Sequence, residues 1–236
     1  MRIVITGANR GIGLELVRQH SARGDRVLAT CRRPAEAGDL AGLAAGRPDL
    51  VEIRRLDVTD PGSVEAAARE ASRLGAIDLL WSNAGVYPGS PGTSLAEGPI
   101  GTLRAEDGLS VMATNAIGPI IVAQAFVPLL RRGTHPKLAA LSSGYGSVAD
   151  NQGTPYWYGA SKAAMNMLHR SLAFDPAARG ITVLLLSPGW VKTDMGGPGA
   201  TTPVGDSVAG LLKVVDAATP DQNGCFLDFR GRALPF

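Results

Sequence analysis

The chain has few of the residues that would place it in several large classes of protein. Its 236 residues include only two cysteines, Cys31 and Cys225, too few and too far apart for a disulfide framework or a metal-ligand cluster. None of the three histidines falls in a motif. Charged residues make up 19%, and the net charge of +2 comes without a basic stripe. We therefore expect no metal and no nucleic-acid partner.

Long hydrophobic segments are also scarce. The N-terminus enters a strand-like pattern at once, without an apolar stretch of signal-peptide length, so a cytoplasmic protein is expected. Residues 108–130 are uncharged and long enough to span a membrane, but polar residues and two prolines interrupt them. We interpret this segment as a helix buried within the fold or between subunits, and we expect no membrane contact.

Short apolar runs alternate with longer helical patterns from end to end, without a composition break. This alternation predicts a single α/β domain over residues 1–236, with a parallel sheet covered on both faces. Strands are predicted at residues 3–6, 26–31, 51–57, 77–82, 137–143, 182–187 and 225–229. Helices are predicted at residues 13–23, 64–74, 113–131, 157–174 and 202–215. Two Gly/Pro-rich stretches follow strand ends. We interpret residues 87–101 as either a surface loop or a lid over a pocket, and residues 196–203 as a lid over a pocket.

The first predicted strand runs directly into a glycine-rich turn, Thr6-Gly7-Ala-Asn-Arg10-Gly11-Ile-Gly13, followed by a helix. Glycines at these positions allow a tight turn and let a pyrophosphate approach backbone N–H groups at a helix N-terminus. The spacing departs from G-x-G-x-x-G, but the strand-turn-helix context is the one that a dinucleotide site requires. We predict a dinucleotide cradle here.

The end of the second predicted strand lacks the acidic residue that binds the ribose 2′-hydroxyl of NAD. Cys31 stands there, followed by Arg32 and Arg33, and Arg10 projects from the glycine turn. Guanidinium groups hold phosphate by charge-assisted hydrogen bonds, so NADP(H) is predicted over NAD(H). The alternative is that these arginines are solvated loop residues.

Tyr158 and Lys162 lie four residues apart in a predicted helix, and therefore on one face of it. A nearby ammonium favours the phenolate and can bring a tyrosine pKa of ~10 towards working pH. Such a tyrosine can exchange a proton with a carbonyl or alcohol oxygen. Exposed helices carry such pairs too, so the meaning of this pair depends on the other motifs.

Further motifs follow in order: Asp57-Val58, Ser82-Asn83-Ala84-Gly85, Ser142-Ser143, Tyr158-x-x-x-Lys162 and Pro188-Gly189-Trp-Val-Lys-Thr193-Asp. With the glycine turn, they closely resemble the short-chain dehydrogenase/reductase family over nearly the whole chain. Ser82 replaces the first Asn of the family's Asn-Asn-Ala-Gly element. Within the family, the chain looks like the group of C-factor signalling proteins and small carbonyl reductases. The resemblance implies a single-domain Rossmann fold, a doubly wound parallel sheet of about seven strands, and a homodimer or homotetramer.

The resemblance also implies roles for four catalytic candidates. Tyr158 is the general acid/base, Lys162 assists it and binds the nicotinamide ribose, and Ser143 orients the substrate oxygen, with Ser142 as an alternative. Asn115 is the fourth, and Tyr156 is excluded because no lysine follows it by four residues. The cofactor-binding candidates are Gly7, Asn9, Arg10, Gly11, Ile12, Gly13, Arg32, Arg33, Asp57, Val58, Asn83, Ala84, Gly85, Tyr158, Lys162, Pro188, Gly189, Val191 and Thr193.

Pro119 gives Asn115 a possible role in proton transfer. Proline has no N–H, so in a regular helix Pro119 cannot satisfy the carbonyl of Asn115 four positions earlier. That carbonyl could hold a water that connects Lys162 with solvent. A water-filled helix kink without a catalytic role is the alternative.

We therefore expect an NADPH-dependent oxidoreductase that reduces a ketone or aldehyde, or oxidises the corresponding alcohol. The alternative is a signalling or cofactor-binding protein, similar to C-factor, in which reductase activity is incidental. Four aromatic residues follow motif positions and could wall a small-molecule pocket: Tyr87, Tyr145, Trp190 and Trp157, although core packing explains Trp157 equally well. Residues 108–130 and the face carrying Ala163, Ala164 and Met167 could form a two-fold interface or belong to the core.

Overall fold

Strands and helices alternate in the computed structural model, which describes residues 1–91, 93–153 and 155–236. Gly92, within the predicted 87–101 loop, lies outside the described residues. The strands are β1 (Arg2–Thr6), β2 (Arg26–Cys31), β3 (Val51–Arg55), β4 (Leu79–Ser82), β5 (Lys137–Leu141), β6 (Thr182–Ser187) and β7 (Phe226–Asp228). The α-helices are α1 (Gly11–Ala22), α2 (Gly38–Ala45), α3 (Pro61–Ser72), α4 (Ala105–Met112), α5 (Gly118–Leu130), α6 (Tyr156–Ala173) and α7 (Val204–Ala217).

Within the described residues, seven strands form one parallel sheet in the order β3-β2-β1-β4-β5-β6-β7. After β1 the chain adds β2 and then β3 on one side of it, and then returns to add β4 on the other side. Ile3 of β1 therefore pairs with Val27 of β2 on one side and with Leu79 of β4 on the other. The strand order therefore reverses between β1 and β4, and open α/β sheets bind ligands at such a point. The predicted doubly wound parallel sheet is confirmed.

The inner strands are mostly apolar because helices cover both faces of the sheet, whereas the edge strand β3 carries Glu52, Arg54 and Arg55. In β1, Ile3 and Ile5 face a core formed with α1, α2 and α7, while Val4 faces a second core formed with α3, α5 and α6. Side chains alternate between the two faces of a strand, so the five inner strands each contribute to both cores. Continuous apolar runs, rather than alternating ones, are the sequence signal of this arrangement.

Two α-helices were not predicted, and one predicted helix is divided. In α2 only Leu40 is buried, so it lacks the repeated apolar face by which a helix is recognised. α4 begins with the charged residues Glu106 and Asp107 and precedes the predicted start at residue 113. The predicted helix over residues 113–131 consists of a π-helical turn, Ala113–Ile117, followed by α5. Predicted strand ends differ too, since β3 and β5 each stop two residues earlier.

The helical stretch Ala105–Leu130 is long and apolar enough to cross a membrane, judged by length and composition alone. Val122, Phe126 and Leu130 are fully buried in the second core. These three residues lie in the interior of the fold, whereas Leu109 and Ile117 of the same stretch are 72% and 55% exposed.

A buried chain of hydrogen bonds joins α1 to β4. Trp81 Nε1 donates to His20 Nε2 at 2.9 Å, and His20 Nδ1 lies 2.8 Å from Asp25 Oδ2, while the Met1 amino group donates to Asp25 Oδ1 at 2.9 Å. An indole nitrogen can only donate, so His20 Nε2 is the acceptor. His20 Nδ1 therefore carries the proton and donates a hydrogen bond to Asp25. Burial would raise the pKa of Asp25, but the hydrogen bonds from His20 and the N-terminus outweigh it and lower the pKa.

Replacing His20 by alanine is expected to destabilise the protein. The substitution leaves Trp81 Nε1 and one Asp25 oxygen without partners and opens a cavity, so the free energy of unfolding should fall by about 3 kcal/mol. Urea denaturation monitored by circular dichroism measures this change. His135→Asn is the matched control, because His135 is exposed with φ of 54°, a conformation that asparagine tolerates. A decrease below about 1 kcal/mol for His20→Ala would contradict a stabilising role for this chain.

Candidate active site

The glycine turn is held against the end of β4 by Asn83. Asn83 Nδ2 donates to the carbonyls of Thr6 at 2.7 Å and Gly7 at 3.0 Å. In return, Thr6 Oγ1 accepts from the backbone N–H groups of Asn83 and Ala84, each at 3.0 Å. The two strands on either side of the reversal point are thereby joined at their carboxyl ends.

Two glycines in the turn have no substitute. Gly7 has φ of +65°, in the left-handed region that glycine favours. A Cβ on Gly13 would lie 2.2 Å from Gly7 O and 2.6 Å from Asn83 Nδ2, so α1 could not approach the turn. Arg10 occupies the N-cap position of α1 without capping it through its side chain. The N-terminus of α1 can therefore offer backbone N–H groups to a phosphate.

The Arg10 side chain forms an ion pair within the protein, which competes with binding of a cofactor phosphate. Its Nη1 lies 3.2 Å from Asp194 Oδ2, and a Cβ on Gly11 would lie 3.4 Å from Thr193 Cγ2. The glycine turn and the loop after β6 thus meet across the cleft. This ion pair between exposed groups was not expected from the sequence, because the two residues are 184 positions apart.

The end of β2 presents positive charge beside the cleft. Cys31 is buried, and burial raises the pKa of its thiol. Arg33 is paired with Glu36 at 2.9 Å, whereas the charge of Arg32 acts on Asp57. Burial would raise the pKa of Asp57, but hydrogen bonds from Thr59 and the charges of Arg32 and Arg55 outweigh it and lower the pKa. The two predicted arginines therefore differ, since only Arg33 has a carboxylate partner beside it on its own turn.

Tyr158 and Lys162 are both buried on α6, next to the end of β5. The Lys162 Nζ lies 5.7 Å from the centre of the Tyr158 ring and donates to Leu141 O at 2.8 Å. Burial raises the pKa of Tyr158 to about 12, a change that the hydrogen bond with Ser143 only partly offsets. Burial also lowers the pKa of Lys162 to about 8. The expected shift of Tyr158 towards phenolate is therefore reversed, because desolvation disfavours the charged form of both groups.

The structure brings Ser143, rather than Ser142, together with Tyr158. The Ser143 side chain forms the hydrogen bond that lowers the pKa of the phenol, and it also accepts from Tyr145 N at 3.3 Å. Ser142 Oγ is buried and has no hydrogen-bond partner among the described residues. β5 ends at Leu141, so Ser142 and Ser143 lie in the turn after the strand. Their side chains therefore no longer alternate between the two faces of the sheet.

Asn115 lies in the π-helical turn and contacts the segment that follows β4. Its Oδ1 accepts from Val86 N and its Nδ2 donates to Val86 O, each at 2.8 Å. A Cβ on Gly85 would lie 3.2 Å from Asn115 Oδ1 and 3.7 Å from Lys162 Nζ, so both polar groups lie next to this glycine. The main chain here is π-helical, with Gly118 N donating to Ala113 O. π-turns inside helices are frequent at functional sites.

Ser161 connects Asn115 with Tyr158 and was not among the predicted residues. Asn115 Nδ2 donates to Ser161 Oγ at 3.0 Å, and this hydroxyl donates to Tyr158 O at 2.7 Å. Ser161 is fully buried. Its position just before Lys162 in the sequence carries no signal of this contact, which depends on the π-helical turn and α6 packing together.

The loop after β6 is held by its own hydrogen bonds. Thr193 Oγ1 accepts from Gly196 N at 3.2 Å, and Trp190 Nε1 donates to Gly196 O at 2.8 Å. Gly189 has φ of +80°, and Val191 is buried and bridges to Thr202. The Pro188 carbonyl accepts from Ser207 at the start of α7. The predicted residues of this loop thus form one compact edge of the cleft.

Aromatic side chains surround Tyr158. The Tyr87 ring meets it edge-on at 4.8 Å between ring centres, and the Tyr145 ring does so at 6.3 Å. Burial first, and then the charge of Glu97, raises the pKa of Tyr87. Trp157 instead packs on Gly108 in α4, where a Cβ would lie 2.9 Å from its ring, and Trp190 is 56% exposed beside its loop. Tyr87 and Tyr145 therefore line the site, and Trp157 is a packing residue.

Glu97 also reaches the site and was missed. Its carboxylate accepts hydrogen bonds from the backbone N–H groups of Trp157 and Tyr158. The only available signal was that Glu97 is the one carboxylate between Asp78 and Glu106.

The glycine turn at the strand reversal, together with the Asn115, Ser143, Tyr158 and Lys162 side chains, defines a Rossmann-fold protein with a dinucleotide-type cleft. The chain belongs to the short-chain dehydrogenase family of oxidoreductases, whose family model, described as short chain dehydrogenase, matches residues 1–202. It is 42% identical over 163 residues to the C-signal protein of Myxococcus xanthus, covering 69% of this chain and 94% of that protein.

Solved structures agree over the full length of the chain. NADPH-bound carbonyl reductase from chicken fatty liver shares 34% identity with a TM-score of 0.90, covering 100% of this chain and 98% of that one. Carbonyl reductase Sniffer of D. melanogaster shares 28% identity with a TM-score of 0.91, covering 100% and 99%. The predicted family and the Rossmann fold are both confirmed.

Proposed function

We propose that the protein is an NADPH-dependent oxidoreductase that reduces a ketone or aldehyde, or oxidises the corresponding alcohol. The observation that carries this proposal is the buried Tyr158 phenol, adjacent to Lys162 and close enough to the Ser143 side chain for Ser143 to lower its pKa. A protein that only binds a cofactor has no evident need for this group. The carbonyl reductases that share the fold support the substrate class.

The residues of the cleft fit a dinucleotide. The absence of a Cβ at Gly7 and Gly13 lets the turn pack against Ala84 and Asn83 and lets α1 begin directly beside it, and the N-terminus of α1 can bind phosphate. Asp57 and Val58 would border the adenine, Lys162 would bind the ribose, and Thr193 would contact the carboxamide. When bound, the nicotinamide supplies the hydride.

The remaining chemistry belongs to the side chains. Ser143 would donate a hydrogen bond to the substrate oxygen and orient the carbonyl. Tyr158, with a pKa of about 12, is protonated at neutral pH and can give its proton to the oxygen as negative charge develops there. We further propose that Asn115 supports a water relay that returns a proton through Lys162. These roles suit reduction, because the tyrosine begins as an acid.

Tyr158→Phe should lower kcat/KM for carbonyl reduction by at least about 100-fold, because the general acid is lost while the ring is kept. The measurement is NADPH oxidation with a panel of aldehydes, ketones and quinones. Tyr156→Phe is the matched control, since Tyr156 lies on the same turn but is exposed. If NADPH binding and a biological signalling role survive in Tyr158→Phe, the alternative of a C-factor-like protein, suggested by the similarity to C-signal, is favoured instead.

The preference for NADP(H) rests on the charge beside the end of β2. Arg32→Ala should weaken NADPH binding by about tenfold and leave NADH binding nearly unchanged, because a charge-assisted hydrogen bond to the 2′-phosphate is lost. Arg33→Ala should have a smaller effect, since Arg33 is already paired with Glu36. Fluorescence titration gives both dissociation constants. Equal binding of NADPH and NADH by the unmodified protein would rule out the arginine assignment.

Reduction should slow as the pH rises through about 8. Lys162 is protonated below this pKa and loses its charge above it, so proton return to Tyr158 weakens, while Tyr158 keeps its own proton to about 12. Initial rates of NADPH oxidation across the neutral and alkaline range measure this decrease. A decrease confined to pH values near the pKa of Tyr158 would assign it to Tyr158 and contradict the role of Lys162.

We also propose how the chain is organised, where it acts and how it assembles. Residues 1–236 would form one NAD(P)-binding domain in the cytoplasm, acting on a small molecule without nucleic-acid or membrane partners. The protein would assemble as a homodimer or homotetramer, as the family resemblance implies. Met167 on α6, 66% exposed, and Ile117 supply apolar surface for such an assembly, whereas Val122, Phe126 and Leu130 of the 105–130 stretch belong to the core.

A further inference from the structure

The helix that carries Tyr158 receives no side-chain cap from its own N-cap residue in the part of the chain that the structure describes. α6 starts at Tyr156, so Tyr158 is the third residue of its first turn. The N–H groups of a first helical turn have no partners within the helix and need acceptors from elsewhere. The N-cap position is Pro155, whose side chain has no polar atom to offer.

Glu97 supplies the missing acceptors from 60 residues earlier in the chain. Its Oε1 accepts from Trp157 N, and its Oε2 accepts from Tyr158 N at 3.3 Å. These are the second and third N–H groups of α6, the ones that a normal N-cap side chain would satisfy. Its negative charge also faces the positive end of the helix dipole. Glu97 therefore caps α6 from another segment of the chain.

The segment that carries Glu97 contacts Tyr158 at a second point. Tyr87, at the start of the same loop, places its ring edge-on against the Tyr158 ring at 4.8 Å between centres. Between these contacts the loop is closed by a hydrogen bond from Gly89 N to Leu95 O at 2.8 Å. One loop thus holds both the ring of Tyr158 and the backbone from which that ring extends.

The opposite side of this turn has separate support. Tyr158 O accepts from Ser161, which in turn accepts from Asn115. The carbonyl side of Tyr158 is thereby fixed by α6 and the π-helical turn, whereas the N–H side depends on Glu97. Loss of Glu97 would free one side of the turn without removing the other.

We propose that Glu97 is a positioning residue for Tyr158: its carboxylate orders the first turn of α6, so that docking of the 87–101 loop completes the proton donor. This inference rests on the proposed role of Tyr158 as general acid. Its direct structural consequence, protection of two backbone N–H groups, does not depend on that role.

Glu97→Ala should lower kcat about tenfold, the effect of losing one helix cap, with KM for the carbonyl substrate and Kd for NADPH changed by less than about twofold. Amide hydrogen exchange of Trp157 and Tyr158 should accelerate by about the same factor. Glu97→Gln keeps one acceptor oxygen and replaces the other by an amide NH2, so it should recover the protection at only one of the two N–H groups and only part of kcat. NMR of labelled protein and steady-state kinetics measure these quantities.

Glu106→Ala is the matched control, because Glu106 is an exposed glutamate of α4 that pairs with Arg104. It should change neither kcat nor exchange at Trp157 and Tyr158. A raised KM with unchanged kcat for Glu97→Ala would overturn the proposal and make Glu97 an anchor of the loop only. Unchanged exchange at the two amides would overturn it as well. If the unmodified protein reduces no carbonyl while Glu97→Ala still accelerates exchange, the proposed function fails but the cap stands.

Discussion

The hydrogen bonds that join the carboxyl end of β4 to that of β1 are the constraint on which the site depends. Asn83 and Thr6 exchange side-chain and backbone hydrogen bonds across the point where the strand order reverses. These bonds hold the glycine turn that follows β1. They also hold the segment after β4 that contains Gly85, next to which the side chains of Asn115 and Lys162 lie. The cofactor half and the catalytic half of the cleft therefore share one support.

Burial then decides the protonation of the catalytic pair. Tyr158 and Lys162 both lie inside the fold, and desolvation favours the neutral form of each, with pKa values of about 12 and about 8. The spacing of the pair predicted a lowered pKa for the tyrosine, because the charge of a nearby lysine favours phenolate. The cost of burying the phenolate exceeds this effect and raises the pKa instead. The result is a protonated donor beside a lysine that titrates closer to neutral pH.

Local signals predicted most of the fold and part of the site. The apolar runs of β1, β2 and β6 and the glycine turn after Thr6 were predicted because burial on both faces and tight turns leave compact marks in a sequence. The α2 helix was missed because it buries only Leu40, and the π-helical turn at Asn115 was predicted as ordinary helix because periodicity does not distinguish an extra residue in one turn. The positions proposed for catalysis were found by motif, but their contacts were not.

The sequence by itself determined the class of fold, the order of its motifs and the residue types available at the cleft, because these depend on short-range patterns of burial and turn formation. Only the tertiary structure decided which groups meet. Ser143 rather than Ser142 contacts Tyr158, Arg10 pairs with Asp194, and Glu97 caps α6. These contacts join segments far apart in the chain, so they follow from the paths of loops and the packing of helices, which no local pattern records.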